Sequence, residues 1–354
     1  MKTEEFLSLY RASSHRKVLI IIAIVAIALL AGLLEIAFGP YNIEFSEAYR
    51  VLIDHIRGVA PSNPLDDYVV WQKSAPRGIA VVVVGAGLGV CGAAMQSALR
   101  NPLADPYMTG IASGANFGIA LAMISGLFVL PFLGGEVGAI SNAFIVSLIP
   151  AAAIIAVSGV RSGSNSTTMI LVGIAVMYIF SAFTTMLKLA ASEETFASVY
   201  TWSLGTLGSV TWSSLPYLIV ATMAGIILLS MMSAKLNLLS CTEQIASSTG
   251  IDPKRTRLTV IAIVSLVTAT LVCFTGTIGF VGLVAPHVMR IFLGSDNRYL
   301  IPASAACGAL VLAASDCIAV EITATGLPVG VITSLIGGPL FIYILVRQHK
   351  KVWT

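Results

Sequence analysis

The sequence predicts an all-α, polytopic integral membrane protein of about ten transmembrane helices. Two observations lead there. Of 354 residues, 57% are hydrophobic and only 10% charged, against about 25% charged in an ordinary soluble domain. Apolar runs about as long as a bilayer core is thick recur along the whole chain. So little charge cannot cover a soluble protein of this size. The apolar excess has to face lipid, and length counts spans rather than soluble domains.

Taken in order, the runs are 18–38, 77–99, 110–130, 137–159, 168–190, 215–233, 256–276, 279–293, 300–320 and 328–347, which make residues 1–354 one membrane domain. The first follows a basic stretch (Arg11, His15, Arg16, Lys17), as a signal peptide would. It is long enough to span, and it lacks a small-x-small cleavage site before Glu35, so an uncleaved first helix is expected. The second carries Gly85, Gly87, Gly89, Gly92 and Ala93, which permit close helix packing where lipid supplies no hydrophobic drive. The eighth is short for a full crossing.

Lysine and arginine set the orientation. With the N-terminus inside and ten alternating spans, 15 of the 20 basic residues lie inside. The other five are Arg50, Arg57, Lys73, Arg77 and Lys188. Both termini are therefore expected in the cytoplasm of a cell-membrane protein. Residues 39–76 and 191–214 lie outside, the second with Trp202 and Trp212 at an interfacial belt, and 234–255 is the long inside loop.

Several functions are disfavoured. No GxxxxGK[ST] pattern occurs, so any ATP is hydrolysed by another chain. The basic residues form no basic-aromatic stripe for nucleic acid. Five cysteines without CxxC or Cys/His spacing read as small buried residues, not metal ligands. An intramembrane enzyme lacks a nucleophile-base pair or metal cluster. An ion-gradient-driven secondary transporter, the main alternative, calls for mid-membrane acids and matching broken helices, and few such acids occur.

Three polar stretches carry local signals. Residues 96–118 (QSALRNPLADPYMTGIASGANFG) read as a helix end, a tight inside loop and a helix start. Asn101-Pro102 and Asp105-Pro106 break helix, and Thr109 or Ser113 is placed to cap the next one. On the residues alone, this is equally a rigid connector. In 236–257, Glu243 to Thr249 reads as a short amphipathic helix stopped by Gly250, with Asp252-Pro253 opening the next span. Residues 161–168 (RSGSNSTT) form a polar inside loop. Asp316 sits late in the ninth span, near the outer interface, in a structural role. Lys188 can snorkel to water, and His287 packs helices.

The run 96–118 resembles the FecCD family of ABC permeases, which includes vitamin B12 and haem importers. So do APRGIAVVVVGAGLGVCGAAMQ (75–96), GFVGLVAPHVMR (279–290) and LPVGVITSLIGGPLFIYIL (327–345), in the family's order. The matching positions include Arg77, Gln96, Asn101, Pro102, Asp105, Pro106, Gly110, Pro286, His287, Arg290, Asp316 and Pro328. The resemblance implies a type II ABC importer permease fold, working as a homodimer or paralogous heterodimer by alternating access. ATPase subunits hold ATP and Mg, this chain binds no cofactor, and an extracytoplasmic binding protein delivers a metal chelate. Iron-siderophore is expected first, then cobalamin or haem. Glu243, Gln244, Ala246, Gly250, Ile251, Asp252, Lys254 and Arg255 then form the coupling surface for the ATPase. Asn165, Ser166 and Thr167 form a cytoplasmic gate. Two positions depart from the family: Val320 stands where an Arg is usual, and Gly326 where a Glu is usual. The first removes a docking contact for the binding protein, a role that Arg50 and Arg57 can take.

Overall fold

The computed structural model describes residues 3–38, 43–160, 166–241, 243–322 and 326–348, and their regular structure is helical. Six stretches are long and apolar enough to cross a bilayer: Ser14–Ala37, Pro64–Leu99, Gly135–Gly159, Ser166–Leu189, Pro253–Thr275 and Asn297–Ile322. A further crossing is bent by 55° between Leu215–Met231 and Ser233–Cys241. Shorter apolar helices at Ile111–Ser125, Val281–Leu293 and Val329–Tyr343 fall on the remaining expected spans.

In chain order the helices are α1 (Thr3–Ala37), α2 (Phe45–Arg57), α3 (Pro64–Tyr68), α4 (Ala75–Leu99), α5 (Ile111–Ser125), α6 (Gly135–Val160), α7 (Ser166–Leu189) and α8 (Glu193–Ser203). They continue with α9 (Leu215–Met231), α10 (Ser233–Cys241), α11 (Glu243–Ser248), α12 (Pro253–Thr275), α13 (Val281–Leu293), α14 (Asn297–Ile322) and α15 (Val329–Gln348). One end of the bundle gathers the α4–α5 connection, the α9–α12 segment and the α13–α14 turn, and with them Arg100, Lys235, Lys254, Arg255 and Arg298. We call it the basic end.

Helix α4 is the axis of the bundle. From Gly87 to Leu99 every residue is buried, against α14, α13, α9, α12 and α1. The small residues make this possible. A Cβ at Gly89 would lie 2.0 Å from the Ser304 carbonyl oxygen of α14, and one at Gly92 only 1.7 Å from that of Gly282 on α13. The backbones meet directly, which maximises dispersion contact between helices that gain nothing from water exclusion.

Two local expectations change. Neither Thr109 nor Ser113 caps α5: Thr109 Oγ1 donates to the Pro106 carbonyl and Ser113 Oγ to that of Gly110. The side-chain cap falls one turn earlier. Asp105 accepts from the Tyr107 N–H at 2.8 Å, starting a 3₁₀ turn over Pro106–Thr109, and Gly110 at φ +85° redirects the chain into α5. Asp105 wins because Pro106 has no N–H to satisfy and presets the first-turn dihedral.

The segment 39–76, expected only as an outside stretch, contains helices α2 and α3 and a π-helical turn among its described residues. On α2 the apolar positions recur with helical spacing. Ala48 and Val51 are buried with Ile36 and Val70, whereas Glu47, Arg50, Asp54 and Arg57 share the polar side. His55 stacks on Trp71 at 4.2 Å, and Trp71 lies 4.8 Å from Trp212. The Trp212 indole donates to the Trp71 carbonyl at 2.8 Å. A π-helical turn, Val69–Ser74, carries this aromatic pile into α4.

Candidate functional site

At the basic end, α10, α11 and the start of α12 form a projecting pedestal. Ala246 is buried, while Ile245, Ser247 and Ser248 are exposed, so α11 sits on one face and offers the others. Glu243 and Gln244 belong to α11, but their side chains lie outside the described residues. Gly250, at φ +82°, ends the helix: its N–H reaches the Ser247 carbonyl at 3.0 Å, and the Ile251 N–H reaches that of Ala246 at 3.0 Å. This paired closure satisfies carbonyls that would otherwise be orphaned, and it needs a left-handed residue. Asp252 then caps α12 by accepting from the Arg255 N–H at 3.1 Å and pairs with the Arg255 guanidinium at 3.2 Å. Lys254 Nζ donates to the Gly159 carbonyl on α6 at 3.0 Å. That bond fastens the start of α12 to the end of α6. Ser166 and Thr167 open α7, Thr167 exposed, and Asn165 lies outside the described residues.

The other motif residues are structural joints. Gln96 is buried; its Nε2 donates to the Leu283 carbonyl at 3.3 Å, and its Oε1 accepts from Arg290 at 3.1 Å. The Asn101 side chain accepts from the Leu103 N–H at 2.9 Å around Pro102. Pro286 lies inside α13, and buried His287 meets Phe341 edge-on at 5.9 Å. Pro328 precedes α15, just after Gly326 at φ +70°. Arg77 and Asp316 pair across α4 and α14. Asp316 is fully buried within the protein, where a carboxylate is tolerated only beside a cation.

At the opposite end, Arg50 and Arg57 are exposed on α2, Arg50 paired with Glu47. Val320 is only 3% exposed. That position is packed in α14, so the missing arginine leaves no hole in an open surface.

Sequence reasoning passed over a polar set beneath the pedestal: Ser97, Asn237, Asp296, Asn297 and Arg257. Arg257 is almost completely buried, and its Nε donates to the Ala98 carbonyl at 3.0 Å. Asp296 pairs with Arg298 at 2.6 Å and accepts from Asn237 at 2.8 Å. The Arg298 guanidinium, helped by Asn237 and opposed by partial burial, pulls the Asp296 carboxyl down to about 2. The available signal was polar residues at apolar helix ends, where orphan backbone groups collect.

The architecture is that of a multi-pass membrane permease: a helical bundle with buried polar joints and an exposed short helix at one end. A sequence profile of the FecCD transport family matches residues 20–347, and the chain belongs to that family. It is 36% identical over 277 residues to the cobalamin import system permease BtuC of Halobacterium salinarum, covering 78% of this chain and 73% of that protein. It is 34% identical over 284 residues to the hemin transport system permease HmuU of Yersinia pestis, covering 80% and 84%. With the ferric enterobactin transport system permease FepG of Escherichia coli it shares 31% over 343 residues, covering 96% and 98%. Among solved structures, an inward-facing conformation of a metal-chelate type ABC transporter superposes with TM-score 0.79 at 26% identity, over 93% of this chain and 99% of that one. PsaBC of Streptococcus pneumoniae, at 20% identity and TM-score 0.53, over 75% and 88%, shares the fold. The chain is therefore the permease of an ABC metal-chelate importer family, a transport component that works with ATPase partners.

Proposed function

We propose that this permease passes an iron-siderophore chelate, ahead of cobalamin or haem, by alternating access between two copies of the chain. The observation that carries the reading is the pedestal: α11, seated through Ala246 and closed by Gly250, presents an exposed short helix beside Lys254 and Arg255. A short helix in a cleft transmits rigid-body motion well, because packed contacts shift between discrete arrangements. The basic end faces the cytoplasm, as the distribution of lysine and arginine favours, and both termini lie there. ATP and Mg belong to the partner ATPases, and this chain itself binds no cofactor. Ser166 and Thr167, which open α7, serve with Asn165 as the cytoplasmic gate. On the far side, Arg50 and Arg57 receive carboxylates of a binding protein.

The test is reconstitution of the chain with its ATPase and binding protein in liposomes. ATP-dependent uptake and crosslinking of Ser247→Cys to the ATPase support the reading. Uptake driven by an ion gradient without the ATPase overturns it. Titration of the binding protein with a ferric siderophore, haem and cobalamin decides the substrate.

A further inference from the structure

We propose that the last turn of α4 is the point at which the coupling loop delivers its motion, through a buried hydrogen-bonded clamp on both flanks of α11. This rests on the coupling role just proposed. On the α10 flank, Asn237 Oδ1 accepts from both the backbone N–H and Nδ2 of Asn297, at 2.8 and 2.9 Å. Asn297 Oδ1 in turn accepts from Ser97 Oγ of α4 at 2.7 Å. Ser240 Oγ adds a longer contact of 3.5 Å to the Ser97 carbonyl. On the α12 flank, Arg257 Nε takes the Ala98 carbonyl at 3.0 Å. The segments before and after α11 therefore grip two successive residues at the end of α4.

The clamp is stiff for physical reasons. Ser97, Arg257 and Asn297 are 4%, 2% and 0% exposed, so water cannot replace a broken bond, and an orphaned group would bear its full desolvation cost. The carbonyls that are gripped belong to a helix C-terminus, which has no intrahelical donors for them. Arginine is the residue that can bury a charge there while spreading it over several donors. Beyond the clamp, α4 is locked to α14 and α13 by backbone contact at Gly89 and Gly92. A displacement of α11 thus moves the central helix as a body rather than bending the loop.

The experiment uses the full transporter in lipid nanodiscs, with Cys241→Ser to remove the exposed thiol. Spin labels are placed at Ser247→Cys on α11 and Lys73→Cys in the π-helical turn that leads into the far end of α4, both exposed positions. A second pair joins Ser247→Cys to Glu194→Cys on α8, which packs on α5 outside the clamp. Between the nucleotide-free and ATP-bound states, the first separation is expected to stay constant while the second shifts. A change in the first pair, or no change in either, overturns the clamp. Asn237→Ala is expected to lower transport per ATP hydrolysed by roughly threefold to tenfold, with the Ser247 crosslink to the ATPase retained. Full coupling in Asn237→Ala overturns it too. Absence of the crosslink in the unmodified background overturns the coupling reading and the clamp together. Should Asn237→Ala not fold, the two label pairs still decide.

Discussion

Arg77 on α4 and Asp316 on α14 are joined by two hydrogen bonds, Nε to Oδ2 at 2.6 Å and Nη2 to Oδ1 at 2.7 Å. The Asp316 side chain is fully buried and that of Arg77 16% exposed. Glu35 of α1 lies buried in the same cluster, accepting from the Cys317 thiol at 2.7 Å. The bidentate fork fastens α4 to α14, and the Cys317–Glu35 bond adds α1.

Removing one partner leaves the other charge buried. Asp316→Asn is expected to destabilise the protein by about 3–5 kcal/mol, and the double change Arg77→Met with Asp316→Leu by clearly less. Thermal unfolding in detergent checks this. If the double variant is no more stable than the single one, the pair is not what the charge needs.

Gly92 tests the backbone contact. Gly92→Ala drives a Cβ into the Gly282 carbonyl at 1.7 Å, and a loss of about 1–3 kcal/mol or more is expected. Gly159→Ala, on an exposed stretch of α6 with nothing near its Cβ, should be neutral or stabilising by up to about 1 kcal/mol. Melting temperatures of the two variants should therefore move apart.

Gly250→Pro cannot keep φ +82°, because the ring holds φ near −65°. It should disorder the end of α11 and cut transport-coupled hydrolysis about tenfold, while membrane insertion is unchanged. Charge reversal at Lys254 and Arg255 should act in the same direction. Hydrolysis rates with and without binding protein give the readout, and normal coupling in both variants would remove the coupling role from this loop.

Asp296 gives a pH dependence. Its folded carboxyl is held at about 2, below the ordinary 3.8. It therefore contributes stability that is present above the unfolded value and lost as pH falls through about 2. The Arg298 side chain is 55% exposed, so screening keeps the contribution to about 1 kcal/mol or less. The difference in melting temperature between the native chain and Asp296→Asn should be present at pH 5 and shrink steadily below pH 4. A difference that is flat from pH 5 to pH 2 would falsify the assignment.

Charge reversal at Arg50 and Arg57 should weaken association of the binding protein by about tenfold or more at low salt, with the effect fading as salt rises. Binding of the ATPase should not change. Surface-immobilised binding protein measured at two ionic strengths distinguishes a docking role from a merely solvated pair.

The sequence by itself determined the all-helical membrane class and the stop at Gly250. Those follow from local quantities: run length against bilayer thickness, charge placement, and the backbone freedom of single residues. Thr109 and Ser113 mark where that reasoning fails, since several residues compete for one cap and the turn geometry at Asp105–Pro106 chooses among them. Within 39–76 the sequence shows no helix because α2 is amphipathic and short, held by Ile36, Val70 and the His55–Trp71 stack rather than by its own propensity. Only the tertiary structure decided that Asp316 meets Arg77, that Arg257 caps α4, and that Asn237 meets Asn297. Each of these bonds joins groups 60 to 239 residues apart. Which buried polar group finds which partner is fixed by how close the helices pack, and glycine contacts such as Gly92 on Gly282 set that spacing.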